Sequence, residues 1–259
     1  MTYHIDPDWW KNIFDETYLL TDARSVRDDD VTKKEVELLL ETLNLTRKSR
    51  ILDLCGGQGR HSLDLSKRGF LDCTVFDYSH HLIEMGKSEA SREGAEITFI
   101  QGDARKTGLP SSSFDAVLIL GNSLGYIPNP EGDREILQES FRLLKGGGII
   151  AIDITNGNYA KTHFKAEGWH EVDEDIVVCR RRKLKGEMVL SREIVMSKTR
   201  GIIRDTCYSI RVHEPEELES LIHSAGFTGT RIVTEFSPHG KDGDYGFMNW
   251  RMIGTGQKP

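Results

Sequence analysis

The rhythm of apolar and polar positions changes three times along the chain. Up to residue 50 apolar side chains recur at helical spacing. Asp6-Pro7, a cap followed by a proline, precedes a stripe of Trp9, Trp10, Ile13 and Phe14, and Thr32-x-x-Glu35, a capping box, precedes Val36, Leu39, Leu40 and Leu43. Two amphipathic helices are predicted. From Arg50 short apolar runs alternate with helical stretches: RILDL, a glycine-rich turn, a helix closing at Gly69, CTVFD, a helix from Ser79 to Arg92, ITFIQ, FDAVLIL, a helix around Ile136 to Leu144, and GIIAIDI. Such alternation packs as a parallel sheet with helices on both faces. After Asn156 strand follows strand, over roughly 176–183, 187–198 and 202–212 with turns at Gly186 and Gly201. A helix opened by Pro215 and stopped by Gly226 then leads to two last strands, near 229–236 and 247–254, read as an edge hairpin.

The expected fold is therefore α/β: a doubly wound, Rossmann-like seven-stranded sheet with a C-terminal antiparallel hairpin and a small antiparallel β insertion. With 259 residues, 37 % apolar and 29 % charged, the chain has enough apolar material for a sizeable core and is too apolar for a disordered one. No run approaches the ~18 unbroken apolar residues of a membrane helix and the N-terminus lacks a signal-peptide pattern, so no membrane partner and a cytoplasmic location are expected. Cys55, Cys73, Cys179 and Cys207 form no C-x-x-C pair and are expected to be reduced thiols. A net charge of −7 makes nucleic acid an improbable partner. The charge is unevenly spread, with ten Lys or Arg against three Asp or Glu between Ile176 and His213. The alternation Met188, Leu190, Arg192, Ile194, Met196 favours the wet face of a sheet over a patch for an anionic acceptor, and Tyr208 is the one aromatic ring there for base stacking.

The candidate chemistry begins at Asp53-Leu54-Cys55-Gly56-Gly57-Gln58-Gly59, where the first strand turns into a helix and glycines let the backbone approach a ligand. Such a turn serves dinucleotides or S-adenosylmethionine. The dinucleotide fingerprint beginning at Gly57 would need Gly or Ala where Ser62 stands, and Asp53 would repel a pyrophosphate while attracting an ammonium or sulfonium. A second carboxylate, Asp77, ends the next strand 18 residues after the last loop glycine, the place for a contact to ribose hydroxyls. A third follows the third strand in Gly102-Asp103-Ala104, where it can accept from an adenine amino group. Three acidic strand ends in succession are far more specific than one.

On these residues the chain resembles a class I S-adenosylmethionine-dependent methyltransferase, closely so from Arg50 to Asp153. Asp53, Gly57 and Gly59 match the family's D/E-x-G-x-G-x-G loop, Cys55 replaces its first glycine, and LLKGGGIIAID is similar to its L-K-P-G-G turn and fifth strand with Gly146 in place of proline. A narrower likeness, to small-molecule methyltransferases with an antiparallel cover, lies in W-x-x-x-F-D-x-x-Y from Trp10 to Tyr18. The resemblance implies cofactor contacts from Tyr18, Asp53, Cys55, Gly56, Gly57, Gly59, Asp77, Tyr78, Gly102, Asp103, Ala104, Leu120 and Asn122, with Tyr78 stacked on adenine and Tyr18 closing over the site. It also implies that residues 1–48 cover the cofactor, that 49–156 and 214–259 make the S-adenosylmethionine-binding domain, and that 157–213 are a substrate cover.

The acceptor should sit beyond the fourth and fifth strands, at Gly121 to Tyr126 and Thr155-Asn156. Asn122 lacks the following prolines of the amino-directed nucleic-acid enzymes, so a small-molecule acceptor with an attacking nitrogen or oxygen is expected. RNA or protein methylation, a NAD-binding oxidoreductase and a non-catalytic cofactor-binding sensor stay open as alternatives, as do a monomer and a homodimer. Candidate bases are Tyr126, His170 and His213, with His61 one turn into the loop helix. Asp153 and Asn156 carry oxygens suited to Mg²⁺, but no third ligand is evident and no metal is expected.

Overall fold

The protein is described by a computed structural model over residues 3–22, 26–238 and 250–259. Its main sheet contains β1 (Ile51–Leu54), β2 (Cys73–Asp77), β3 (Ile97–Gln101), β4 (Phe114–Ile119), β5 (Leu144–Thr155), β10 (Thr228–Phe236) and β11 (Arg251–Gln257), in the order β10-β11-β5-β4-β1-β2-β3. The five strands β1 to β5 run parallel, and β11 pairs antiparallel with both β5 and β10. Every residue of β1 is buried, as a strand covered on both faces requires. On one face Leu52, Leu54, Val117 and Ile152 meet Ile136 and Leu137 of α5 (Glu131–Leu143) and Leu218 and Ile222 of α7 (Pro215–Ser224). On the other, Ile51, Ala116 and Leu118 meet Val36, Leu39 and Leu43 from α2 (Asp29–Thr42) and its end, and Leu65 of α3 (Arg60–Lys67). The order reverses between β1 and β4, so the strands' carboxyl ends open a crevice there.

A separate antiparallel sheet contains β6 (Glu167–Glu171), β7 (Ile176–Lys185), β8 (Met188–Ser197) and β9 (Gly201–Arg211) in that order. Of its three connections the last two turn at Gly186 and Gly201, which take φ of +60° and +82° that other residues resist. The edge strand β6 and the short helix α6 (Gly157–Thr162), capped by Asn156, had no strong periodicity and were not anticipated.

Three local expectations need correction. The stripe of Trp9 to Phe14 is not one helix but a 3₁₀ turn, Trp9–Lys11, then a break before α1 (Glu16–Thr21). Its rings bury on different sides, Trp9 against Tyr126 and Tyr208 and Trp10 against Tyr78, which no single helical face permits. Asp15 caps α1 by accepting from the Tyr18 N–H at 3.0 Å. The second helix starts at Asp29 behind the cap Asp28 rather than at a Thr32/Glu35 box, because the Glu35 carboxylate turns into the interior. The last strand runs from Arg251 to Gln257, past the expected end near 254, and the expected residues 247–249 lie outside the described ones.

Candidate functional site

A cleft of about 930 Å³, counting its open mouth, lies over the carboxyl ends of β1, β2 and β4. Cys55, Gly56 and Gly57 form its floor where β1 turns toward α3. Cys55 and Gly57 both adopt left-handed backbone, φ +60° and +58°, which curls the loop tightly enough to face N–H groups inward. Asp77 anchors this curl: one carboxylate oxygen accepts from the Gly57 N–H and the other from the Ser79 N–H, both at 2.8 Å. Burial pushes the Asp77 carboxyl up to about 6, against those backbone donors. Beside it Tyr78 meets the Trp10 ring edge-on at 4.8 Å, with the Arg105 guanidinium 5.3 Å from the same indole. Arg105 forks onto Asp103, and its hydrogen bonds hold the Asp103 carboxyl below the usual range.

The N-terminal segment roofs the cleft with Trp10, Phe14 and Tyr18. The Ser79 hydroxyl donates to the Phe14 carbonyl at 2.5 Å, and Gln58 of the loop donates to the Val26 carbonyl at 2.9 Å, so roof and floor are tied. Behind the roof stands the second sheet. Arg204 of β9 reaches Asp15 and the Ile13 carbonyl, and Arg180 of β7 reaches Asp22. Glu193 of β8 lies between these two arginines and accepts from both. Arg180, Arg204 and Arg211 are thus buried side chains paired with acids of other segments rather than a wet face, whereas Arg192, paired with Asp205 of the next strand, lies on the less buried face of β8. No described residue of 157–213 lines the cleft, so the sheet stands one layer outside it.

Nine of the predicted cofactor residues line the cleft: Tyr18, Cys55, Gly56, Gly57, Asp77, Tyr78, Asp103, Ala104 and Leu120. Four do not. Asp53 lies under the loop, wholly buried, accepting from the Ser62 hydroxyl at 2.9 Å, and Gly56 is glycine because a Cβ there would come within 2.6 Å of the Asp53 Cγ. Asp53 does not line the cleft; its carboxylate shapes the loop from beneath, with Oδ1 left without a hydrogen-bond partner among the described residues. Gly59 packs on Val75 and Phe99, and Gly102 on Phe76, where a Cβ would clash in either case. Asn122, at φ +66°, ties β4 to β5 by accepting from the Thr155 N–H at 2.7 Å, and its side chain also bonds the Tyr126 phenol.

Among the candidate bases Tyr126 and His61 line the cleft. Burial pushes the Tyr126 phenol well up, so it stays protonated. His213 is corrected to a framework residue: its Nε2 lies 3.2 Å from Asp133, which also takes Arg211. His170 sits on β6 with Nε2 3.3 Å from the Thr21 carbonyl, outside the cleft. Asp153 is held by Arg251, and Asn156 is spent on the cap of α6.

A methyltransferase-domain family model matches residues 51–148. The protein YqeM of Bacillus subtilis (strain 168) is 27 % identical over 198 residues, 75 % of this chain and 79 % of YqeM. A glycine/sarcosine N-methyltransferase of Aphanothece halophytica is 29 % identical over 152 residues, 58 % of this chain and 57 % of that enzyme. An S-adenosylmethionine-dependent methyltransferase of Clostridium acetobutylicum superposes with a TM-score of 0.73 at 15 % identity, over 93 % of this chain and 98 % of that one. The chain is a class I S-adenosylmethionine-dependent methyltransferase. S-adenosylmethionine is its methyl donor.

What sequence reasoning missed in this methyltransferase is a set of charges from distant segments. Glu35 of α2, buried, contacts Arg60 and His61 of α3 and accepts from Arg251 of β11 at 2.5 Å; Arg251 in turn reaches Asp153 of β5 at 2.7 Å. Although burial pushes the other way, Arg251 and Arg60 hold the Glu35 carboxyl well below the usual range. The one signal available was Glu35 itself, a carboxylate placed one residue before the apolar stripe of its helix. Among the described residues no helix is long and apolar enough to cross a membrane.

Proposed function

We propose that this methyltransferase transfers its methyl group to a nitrogen or oxygen of a small molecule. The observation that carries this is the roof: Trp10, Phe14 and Tyr18, on a segment pinned to floor and second sheet, cover part of the cleft and leave a mouth that suits a metabolite better than a folded polymer. The glycine/sarcosine N-methyltransferase relative supports an amine as one acceptor class.

The residues fit the cofactor chemically. Asp77 has two oxygens, each with a lone pair beyond its backbone bond, for a pair of ribose hydroxyls. Tyr78 and Trp10 would flank adenine with Asp103 and Ala104 at its edge, and the backbone of Cys55 to Gly57 would face the methionine portion. S-adenosylmethionine supplies a methyl already activated on a sulfonium, so the protein's work is alignment and exclusion of water. Tyr126, braced by Asn122 and packed against Phe14 at 5.3 Å and Trp9 at 5.6 Å, is placed to orient the acceptor with its hydroxyl. We propose further that the second sheet acts as a brace for the roof, with residues 1–48 as the cover proper. A screen of amine, hydroxyl and thiol metabolites, scored by S-adenosylhomocysteine release, tests the reading. Turnover with a small amine or alcohol is expected, and turnover confined to RNA or protein would overturn it.

A further inference from the structure

We propose that His61 takes the proton released by the methyl acceptor and that Glu35 acts as its positioning residue, fixing the imidazole tautomer. This rests on the reading above, because an N–H or O–H acceptor releases a proton when it is methylated. His61 opens the first turn of α3, lines the cleft together with Gly121 and Tyr126, and is otherwise enclosed. Its Nε2 lies 2.9 Å from a Glu35 oxygen. Glu35 is kept ionised by Arg251 and Arg60, so it accepts and cannot donate. The neutral ring must then carry its hydrogen on Nε2, which leaves the Nδ1 lone pair as the basic site. Tyr126 keeps its proton, and His170 and His213 lie outside the cleft, so no other candidate base is placed to act.

The charges facing the imidazole come from every element around it. Arg60 stands on its own helix, Glu35 on α2 and Asp53 on β1, while Arg251 of β11 and Asp153 of β5 act through Glu35. Burial and Arg60 keep the ring below its ordinary value, against Glu35 and Asp53, so it is neutral and able to accept at pH 7. In the step, the acceptor's lone pair forms the bond to the methyl carbon, the carbon–sulfur pair leaves with sulfur, and the acceptor's proton passes to Nδ1 of His61. The sulfonium charge disappears as the imidazolium charge appears, so the net charge in the cleft does not change. That offsets the cost of charging a buried ring.

Long-range ¹H–¹⁵N spectra of the histidine side chains, recorded with S-adenosylhomocysteine bound, read the tautomer without any turnover. The His61 signals are assigned by their loss in His61→Gln, or in His61→Asn should the first variant not fold. The expected result is a neutral ring at pH 7 with hydrogen on Nε2, titrating below the ordinary histidine range of about 6.5. With the acceptor found by the metabolite screen and S-adenosylmethionine saturating at every pH, His61→Gln should lower turnover by about 10²–10⁴-fold and remove the His61 step from the acid limb of the pH profile, while S-adenosylhomocysteine affinity stays within threefold. Hydrogen on Nδ1, an imidazolium at pH 7, or His61→Gln turnover within threefold of the parent would overturn the proposal and leave the small-molecule reading standing. Turnover on RNA or protein alone would sink that reading, and the spectra would still decide the tautomer.

Discussion

The two ends of the cleft are built by different means. At the nucleotide end everything below the roof comes from one stretch of chain, residues 53–105, and the decisive contacts are backbone N–H groups on Asp77 and a fork between neighbours, Arg105 and Asp103. At the other end the walls rest on Glu35, Arg60, Asp153 and Arg251, which are far apart in sequence and meet only as buried charges. Backbone contacts made by a tight loop tolerate no side chain but need no partner elsewhere. Buried ion pairs are the reverse: each member is affordable only while the others are present.

The sharpest break of that contrast is Glu35→Ala. It strands Arg60 and Arg251 in the interior, and urea unfolding should show a loss of about 3–5 kcal/mol; a loss below ~1 kcal/mol would mean that the cluster is solvated. At the opposite end Gly57→Val should leave the fold intact by circular dichroism yet weaken calorimetric binding of S-adenosylhomocysteine at least ~100-fold, about 2.7 kcal/mol. A β-branched residue at φ +58° both strains the curl and fills the floor. Normal binding by this variant would remove the loop from the cofactor cradle.

Asp77→Ala should weaken binding by about 1–3 kcal/mol, the loss of a charged acceptor for hydroxyls. The same carboxyl predicts a pH dependence. Its value is pushed up to about 6 by burial, and ribose hydroxyls favour the ionised form, so affinity should fall as pH drops through about 6, approaching tenfold per unit below it. Calorimetry between pH 5 and 7.5 reads this directly; a flat profile would place the ribose elsewhere. Arg204→Ala probes the brace. It frees Asp15 and the Ile13 carbonyl from β9 and leaves the buried Glu193 with Arg180 alone, and stopped-flow measurements should show S-adenosylhomocysteine leaving several-fold faster, about 1 kcal/mol. The smallest effect belongs to Cys55→Gly, which relaxes a left-handed non-glycine residue and should shift stability by about 1 kcal/mol or less, with cofactor affinity within threefold.

Between the two ends lies the difference in what could be read before any coordinates. The parallel sheet, the glycine curl and the Asp77 and Asp103 strand ends follow from patterns local to about 50 residues. Apolar runs of period two and helical spacing report burial on their own, and a turn at a strand's end reports its φ through glycine. Local reading failed where a side chain's partner was remote. Thr32 and Glu35 have the spacing of a cap, yet the box is lost because Glu35 finds two arginines inside. The basic stretch reads as a wet face, yet its Arg180, Arg204 and Arg211 each turn to an acid from another segment, Asp22, Asp15 or Asp133. His213 and Asp53 likewise look like cleft residues by position and serve as supports.

By itself, then, the sequence determined the kind of sheet, where its ligand crevice opens and which cofactor class its first loop admits, because those depend on periodicity and on backbone geometry at glycine. Only the tertiary structure decided that the roof is a broken aromatic segment held by the second sheet, and that His61, backed by a buried carboxylate, lines the cleft while His170 and His213 do not. A charge in water is indifferent to its distant neighbours, whereas a charge in the interior is stable only beside its counter-charge, and which counter-charge that will be is settled when the segments pack.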